Sequence, residues 1–351
     1  MAGNHKGILK SEATEKMVGQ HSFSEAVEQN QLIQSEDHYV VGVDIGGTNI
    51  RLALADSAGT IVARWNESTA GIRQPQVVLD LICTGVDDLL AKTAVPRSAL
   101  SAIAAGAPGV TDVDAGIVIA TSYLMGWRDV PFRDLLESAL GVPATIDNDV
   151  NMAAFGEISA GAAKGVRDFV FLAIGTGIGA GIVLNGQVFR GVEWSAGEIG
   201  YMLVPGTSEE PAKSNEPGAL ESIVGGEGIR TQWQNLCSAE ATSLPRDLTA
   251  TQIFDYAQQG DALAQHVLER SARILSHAIF NISIMLNCQL FVLGGSVGMH
   301  PALCEAVRKN LALRSAQVNP RIEPSTIGSD APLLGAIRMA LDSVASKAAA
   351  S

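Results

Sequence analysis

Apolar residues along this chain fall in short runs broken by glycine, and two of the runs share one design. Val41-Gly-Val-Asp-Ile45 leads into Gly46-Gly47-Thr48, and an alternating stretch, Ile50-Arg-Leu-Ala-Leu-Ala55, follows at once. Two strands joined this tightly need a turn with positive φ, which glycine adopts without steric cost. Phe169-Val-Phe-Leu-Ala-Ile174 repeats the arrangement, with Gly175-Thr176-Gly177 as the turn and Ile178 to Leu184 as the return. Each copy then passes a further turn, Ser57-Ala-Gly59 or Asn185-Gly186, into a third short strand. The pattern predicts a duplicated three-stranded meander. A dinucleotide fingerprint has similar glycine spacing but must open a helix, whereas Ile182-Val183-Leu184, bounded by Asn-Gly, reads as strand.

The remaining periodicities supply helices and parallel strands. A helix is expected near Pro75–Lys92, a strand at Ala102–Gly106, and a strand ending at Thr145-Ile146 that runs into a helix through Gly161. Leu290-Phe-Val-Leu-Gly-Gly-Ser296 reads as a strand followed by a helix from Pro301. Leu263, Val267, Ile274, Ala278, Ile282 and Met285 recur at helical spacing. Arg273, His277 and Asn281 interrupt that stretch, so it predicts a long core helix and not a membrane span. Helices between parallel strands define an α/β class with right-handed crossovers. Residues 1–38 are polar, with a short helix expected over Gln20–Gln34, and predict a disordered or late-ordering extension. That segment is too short and too poor in paired amphipathic helices for a helix-turn-helix reader.

The chain has 351 residues, enough for two domains, with 47% hydrophobic residues and 36 glycines. Its net charge of −13 argues against nucleic acid as a partner, because phosphate backbones demand basic surfaces. A single phosphate group can still be held by local N–H groups and a cation. Cys83, Cys237, Cys288 and Cys304 lie far apart and fit reduced thiols better than a disulfide framework. The first ten residues show no apolar signal region, and the expected location is cytoplasmic. None of the six histidines has metal spacing, and none is given a role.

Three segments carry candidate chemistry. The two Gly/Thr turns leave backbone N–H groups bare enough to approach a phosphate, with Thr48 and Thr176 adding hydroxyl donors. Asp44, at a strand end, is an oxygen ligand of the kind that holds Mg²⁺ beside phosphates. Gly294-Gly295-Ser296 is either an ordinary strand-to-helix turn or the shelf for a nucleotide base. In Asp147-Asn148-Asp149 one residue is accounted for as a helix cap, and three in succession exceed what capping needs.

Taken in order, Asp44-Ile-Gly-Gly-Thr48, Gly106-Ala-Pro-Gly109, Gly126-Trp127, Asp147-Asn-Asp-Val-Asn151 with Gly156-Glu157, Gly175-Thr-Gly-Ile-Gly179, Ala196-Gly-Glu-Ile-Gly200 and Leu293-Gly-Gly295 resemble the ROK family of sugar kinases. The resemblance runs from about Tyr39 to Leu341. It implies an actin-like, ribonuclease H-type duplicated α/β fold with two domains around a cleft: residues 39–120 plus 332–345, and residues 121–331. It implies phosphorylation of a hexose, glucose above all, at C6 by ATP with Mg²⁺, and a homodimer. Asp149 would be the base that accepts the attacking hydroxyl's proton, for which an ordinary low carboxylate pKa suffices. Asn148, Glu198 and Glu221 would hold sugar hydroxyls, with Tyr123, Tyr201 and Trp127 as walls or further partners. Asp44 would hold Mg²⁺, directly or through water; Gly46, Gly47, Thr48, Asn49, Gly175, Thr176, Gly177, Gly294, Gly295 and Ser296 would hold the nucleotide.

Three departures bear on the sugar. Tyr201 stands where the family has a sugar-touching histidine, and Tyr123 where it has an asparagine. The two tyrosines either alter hydroxyl preference or fill space. The loop from Pro205 to Glu221 lacks the family's zinc cysteines, with Ala219 in the place of the last one. Tetrahedral zinc needs four N or S ligands, so no structural zinc is expected and the loop must be held by packing or hydrogen bonds. Fructose, N-acetylmannosamine, N-acetylglucosamine or allose as substrate, and a non-catalytic sugar sensor of the same family, remain alternatives.

Overall fold

The protein is described by a computed structural model that places residues 38–47, 49–69, 71–72, 74–121, 126–212, 216–239, 242–314 and 318–350. Thr48, Tyr123 and the 1–37 extension with its expected helix lie outside the described residues. The first meander forms as expected: β1 (Tyr39–Ile45), β2 (Asn49–Ala55) and β3 (Ile61–Ser68) pair antiparallel in sequence. β4 (Leu100–Ala107) then joins β1 in parallel. The short strands β5 (Val110–Asp112), β6 (Ile117–Ala120) and β7 (Arg128–Val130) make a separate small sheet. β8 (Ala144–Asn148) returns to pair in parallel with β4. It lies beyond residue 120, so the first sheet extends past the border expected between the two domains.

The second meander is β9 (Phe169–Ile174), β10 (Ile178–Leu184) and β11 (Gln187–Phe189), extended in parallel by β12 (Leu290–Gly294) and β13 (Arg321–Pro324). The two five-stranded sheets have the orders β3-β2-β1-β4-β8 and β11-β10-β9-β12-β13. The duplication read from two glycine turns therefore covers the whole of each sheet. Asn185 and Gly186 both have positive φ, at 56° and 78°, as a two-residue hairpin turn requires.

Each sheet is sandwiched by helices whose apolar stripes match the sequence reading. Helix Pro75–Thr93 starts on a proline in its first turn and buries Val78, Ile82, Val86 and Leu89 against the first sheet. Helix Ala262–Leu286 is capped by Asp261, whose carboxylate accepts from Ala264 N, and buries Val267, Ile274, Ala278 and Ile282. Met285, expected on that stripe, is 80% exposed, because the face rotates away from the core in the last turn. The C-terminal helix Ala331–Ala350 packs on β1, β4 and helix Asp149–Ala160. Gly335 permits this: a Cβ there would lie 1.7 Å from Met152 O, far inside any allowed contact.

Candidate active site

The three polar residues at the end of β8 have three different uses. Asn148 caps helix Asp149–Ala160: its Oδ1 accepts from Val150 N at 2.9 Å and Asn151 N at 3.1 Å. Its Nδ2 donates to Gly109 O at 2.9 Å, which leaves the second amide N–H for a ligand. Asp147 is fully buried and accepts from Asn148 N, Asn151 Nδ2 and twice from Arg190. Asp149 opens the helix and faces a cavity.

That cavity, about 400 Å³, brings Gly109, Asn148 and Asp149 together with Gly47, the Gly175-Thr176-Gly177 turn, Glu198, Tyr201 and Glu221. Six of the expected site residues from the first meander, the β8 turn and the second meander thus share one space with their neighbours. Burial, then the negative charge of Asp44, and further Glu198, push the Asp149 carboxyl up to about 7; its bond from Val150 N opposes the shift. The sequence reading required only an ordinary low carboxylate pKa, and burial here sets it higher. Asp149 changes charge near neutral pH, as suits a group that takes a proton from an alcohol. Desolvation, then Glu221, also raises Glu198. Glu221 is anchored across the cavity by Ile178 N, which donates to its Oε2 at 3.0 Å.

Asp44 borders a second cavity of about 540 Å³ with Gly46, Asn49, Arg51, Arg64 and Asp330. It is 7% exposed, and burial raises its pKa more than Arg51 lowers it. Both Arg51 bonds fall on Oδ2, leaving Oδ1 outside that pairing. Trp127, expected as a sugar wall, is 2% exposed, its ring tilted at 55° to that of Phe132 with centroids 5.1 Å apart, within the core of the first sheet. Gly294 and Gly295 border none of these cavities. Ser296 does border a third, about 180 Å³, which continues from Gly175 and Thr176 to Glu227, Arg230, Thr249 and Thr251. Sequence reasoning missed those last four. Thr249-x-x-Gln252 is legible as a capping box, and it is one here, but nothing in it points to a cavity.

The loop without cysteines is held by hydrogen bonds. Thr207 Oγ1 donates to Val204 O at 2.8 Å, and Leu220 N donates to Gly200 O at 3.0 Å. His277, on the long helix, lies 3.1 Å from Pro205 O. A carbonyl only accepts, so Nδ1 carries the proton, and Arg314 donates to Nε2. Burial, then Arg314, lowers the His277 pKa, in keeping with a neutral ring. The cysteines are free, and burial pushes the Cys288 thiol up to about 11, which suits an inert thiol.

The fold and this arrangement define an actin-like α/β protein with a polar cleft between two duplicated sheets. Its sequence matches the ROK family over residues 40–343, and the chain belongs to that family. It is 33% identical over 310 residues to a glucokinase of Halalkalibacterium halodurans, covering 85% of this chain and 94% of the relative. It is 29% identical to an N-acetylmannosamine kinase of Escherichia coli O6:H1, covering 84% and 96%, and 28% identical to the xylose repressor of Bacillus subtilis, covering 87% and 77%. A ROK hexokinase structure from Thermus thermophilus superposes with a TM-score of 0.70 at 28% identity, covering 88% of this chain and 99% of that one. Among the described residues no helix is long and apolar enough to cross a membrane.

Proposed function

We propose that the protein is an ATP- and Mg²⁺-dependent hexose kinase acting on the C6 hydroxyl, with glucose as the substrate. The observation that carries this reading is the shared cavity of Asn148, Asp149, Glu198, Glu221 and the Gly175–Gly177 turn. Asp149 accepts the hydroxyl proton as the C6 oxygen bonds to the γ-phosphorus and the bond from that phosphorus to the β,γ-bridging oxygen breaks, releasing ADP. Glu198, Glu221 and the remaining Asn148 amide proton fix the sugar's other hydroxyls, with exposed Tyr201 at the rim. The Gly/Thr turns offer N–H groups to the phosphates, and the cavity beside Ser296 and Thr249 accommodates the base.

Asp44 fits Mg²⁺ in chemistry and in electrostatics. A hard cation beside phosphates takes one or two carboxylates and fills its shell with water and phosphate oxygens. The negative charge of Asp44 raises Asp149, and a cation at Asp44 would relieve that repulsion. Mg²⁺ held there, directly or through water, would offset charge on the phosphates.

Similarity to a glucokinase at 33% identity supports glucose, and that to an N-acetylmannosamine kinase supports testing amino sugars beside it. The assay is ADP release with ATP, Mg²⁺ and a panel of glucose, fructose, allose, N-acetylmannosamine and N-acetylglucosamine. Turnover on glucose, lost in Asp149→Ala while sugar affinity stays within about tenfold, is the expected result. Turnover on none of them rejects the kinase reading. Sugar binding without turnover favours a sugar-responsive regulator, the reading supported by the xylose repressor similarity.

A further inference from the structure

One ion pair, with its carboxylate buried and its guanidinium partly exposed, joins the two duplicated sheets beside the base. Arg190, just past β11 of the second sheet, donates from Nε at 2.9 Å and Nη2 at 2.6 Å to Oδ2 of Asp147, at the end of β8 in the first. The other oxygen of Asp147 accepts from Asn148 N at 2.7 Å and Asn151 Nδ2 at 3.0 Å. All four bonds converge on a carboxylate with no exposed surface, where a partner cannot be exchanged for water at low cost.

The backbone of Arg190 is engaged as well. Its carbonyl accepts from Ala196 N at 3.1 Å, closing the turn that delivers Glu198 to the cavity. Gly197 O in that turn accepts from Ala180 N, fixing it on β10. One residue thus ties down the strand end before Asn148 and Asp149 through its side chain, and the Glu198 turn through its main chain. Arg190 itself does not border the cavity.

We propose that Arg190 is a positioning residue: its pair with Asp147 sets the separation between Glu198 and Asp149, and so the fit of the sugar, without contact to sugar or nucleotide. The inference rests on the kinase reading for the sugar's role, while the mechanical link is testable apart from it. Arg190→Gln is expected to raise KM for the sugar about tenfold and to lower kcat, with KM for ATP within about twofold. Arg190→Lys, which keeps the charge but lacks the planar fork, is expected to recover part of the loss. Hydrogen exchange followed by mass spectrometry is the second measurement, made on wild type and variant without substrate. Faster exchange in both segments 144–152 and 190–199 is expected.

A variant of lower Tm with unaltered sugar KM and kcat would show a merely structural pair and overturn the proposal. So would faster exchange confined to 190–199. If wild type turns over no sugar, the kinase reading fails and exchange alone decides the link. Should Arg190→Gln not fold, Arg190→Lys carries the same two measurements.

Discussion

Asp44 and Arg51 stand directly opposite each other in the β1–β2 ladder, and the guanidinium donates twice to a single carboxylate oxygen. The same guanidinium donates to Ser329 O at 2.7 Å, tying the hairpin to the turn before the C-terminal helix. Removing one partner of a largely buried pair leaves the other uncompensated. Arg51→Met is expected to lower stability at neutral pH by ~2 kcal/mol, discounted for the partial exposure of the arginine. Burial raises the Asp44 pKa, and a protonated Asp44 needs no counter-charge, so the loss should be smaller at acid pH than at neutral pH. Denaturant titrations of both proteins at the two pH values check this; equal losses would show that charge is not the cause.

The raised Asp149 pKa makes a kinetic forecast. A base works only when deprotonated, so kcat/KM for the sugar should climb as pH rises through about 7, the free-enzyme value. Asp44 contributes to that elevation. Asp44→Asn, whatever rate it retains, should therefore move the acid limb to lower pH. A limb that stays in place or moves upward in Asp44→Asn refutes the electrostatic account.

The same shift has a cost in stability. A carboxyl with a folded pKa of about 7 against an unfolded value of 3.8 binds its proton more tightly when folded. Stability then falls as pH rises between those values, since the unfolded chain releases the proton first. Asp149→Asn removes the penalty and should be more stable than wild type by ~4 kcal/mol at about pH 8, with little gain near pH 4. Thermal melts of both proteins across that range decide it. A wild type at least as stable as the variant at the alkaline end would contradict the burial argument.

Much of this was legible because it is local. Glycine turns between apolar runs predicted both meanders, and the apolar stripes predicted the two principal helices. The order of motifs pointed to one cleft holding Asn148, Asp149, Glu198 and Glu221, which border a single cavity. What escaped depends on pairing across the chain. Arg190 belongs to no sequence motif, and only the approach of the two sheets brings it to Asp147. Trp127 reads as a binding aromatic, but Phe132 and the core of the first sheet claim it. The Asp149 pKa depends on Asp44, distant in sequence, and on burial that no motif encodes.

Gly335 and Gly141 offer a controlled contrast between a blocked contact and a strained backbone. A Cβ at Gly335 would meet Met152 O at 1.7 Å, and Met152 lies in the helix that Asp149 opens. The two helices must part to admit one methyl group, so Gly335→Ala is expected to cost ~3 kcal/mol or more. Because the displaced helix carries the base, kcat should drop as well. Gly141 ends a different helix with φ of 71°, and a Cβ there meets nothing within 4 Å. Gly141→Ala should cost only the left-handed backbone penalty, ~1 kcal/mol, with kcat unchanged. Denaturation and turnover measured on both variants separate the cases. If Gly335→Ala proved as mild as Gly141→Ala in stability and as active as wild type, the helix contact would not be what seats Asp149.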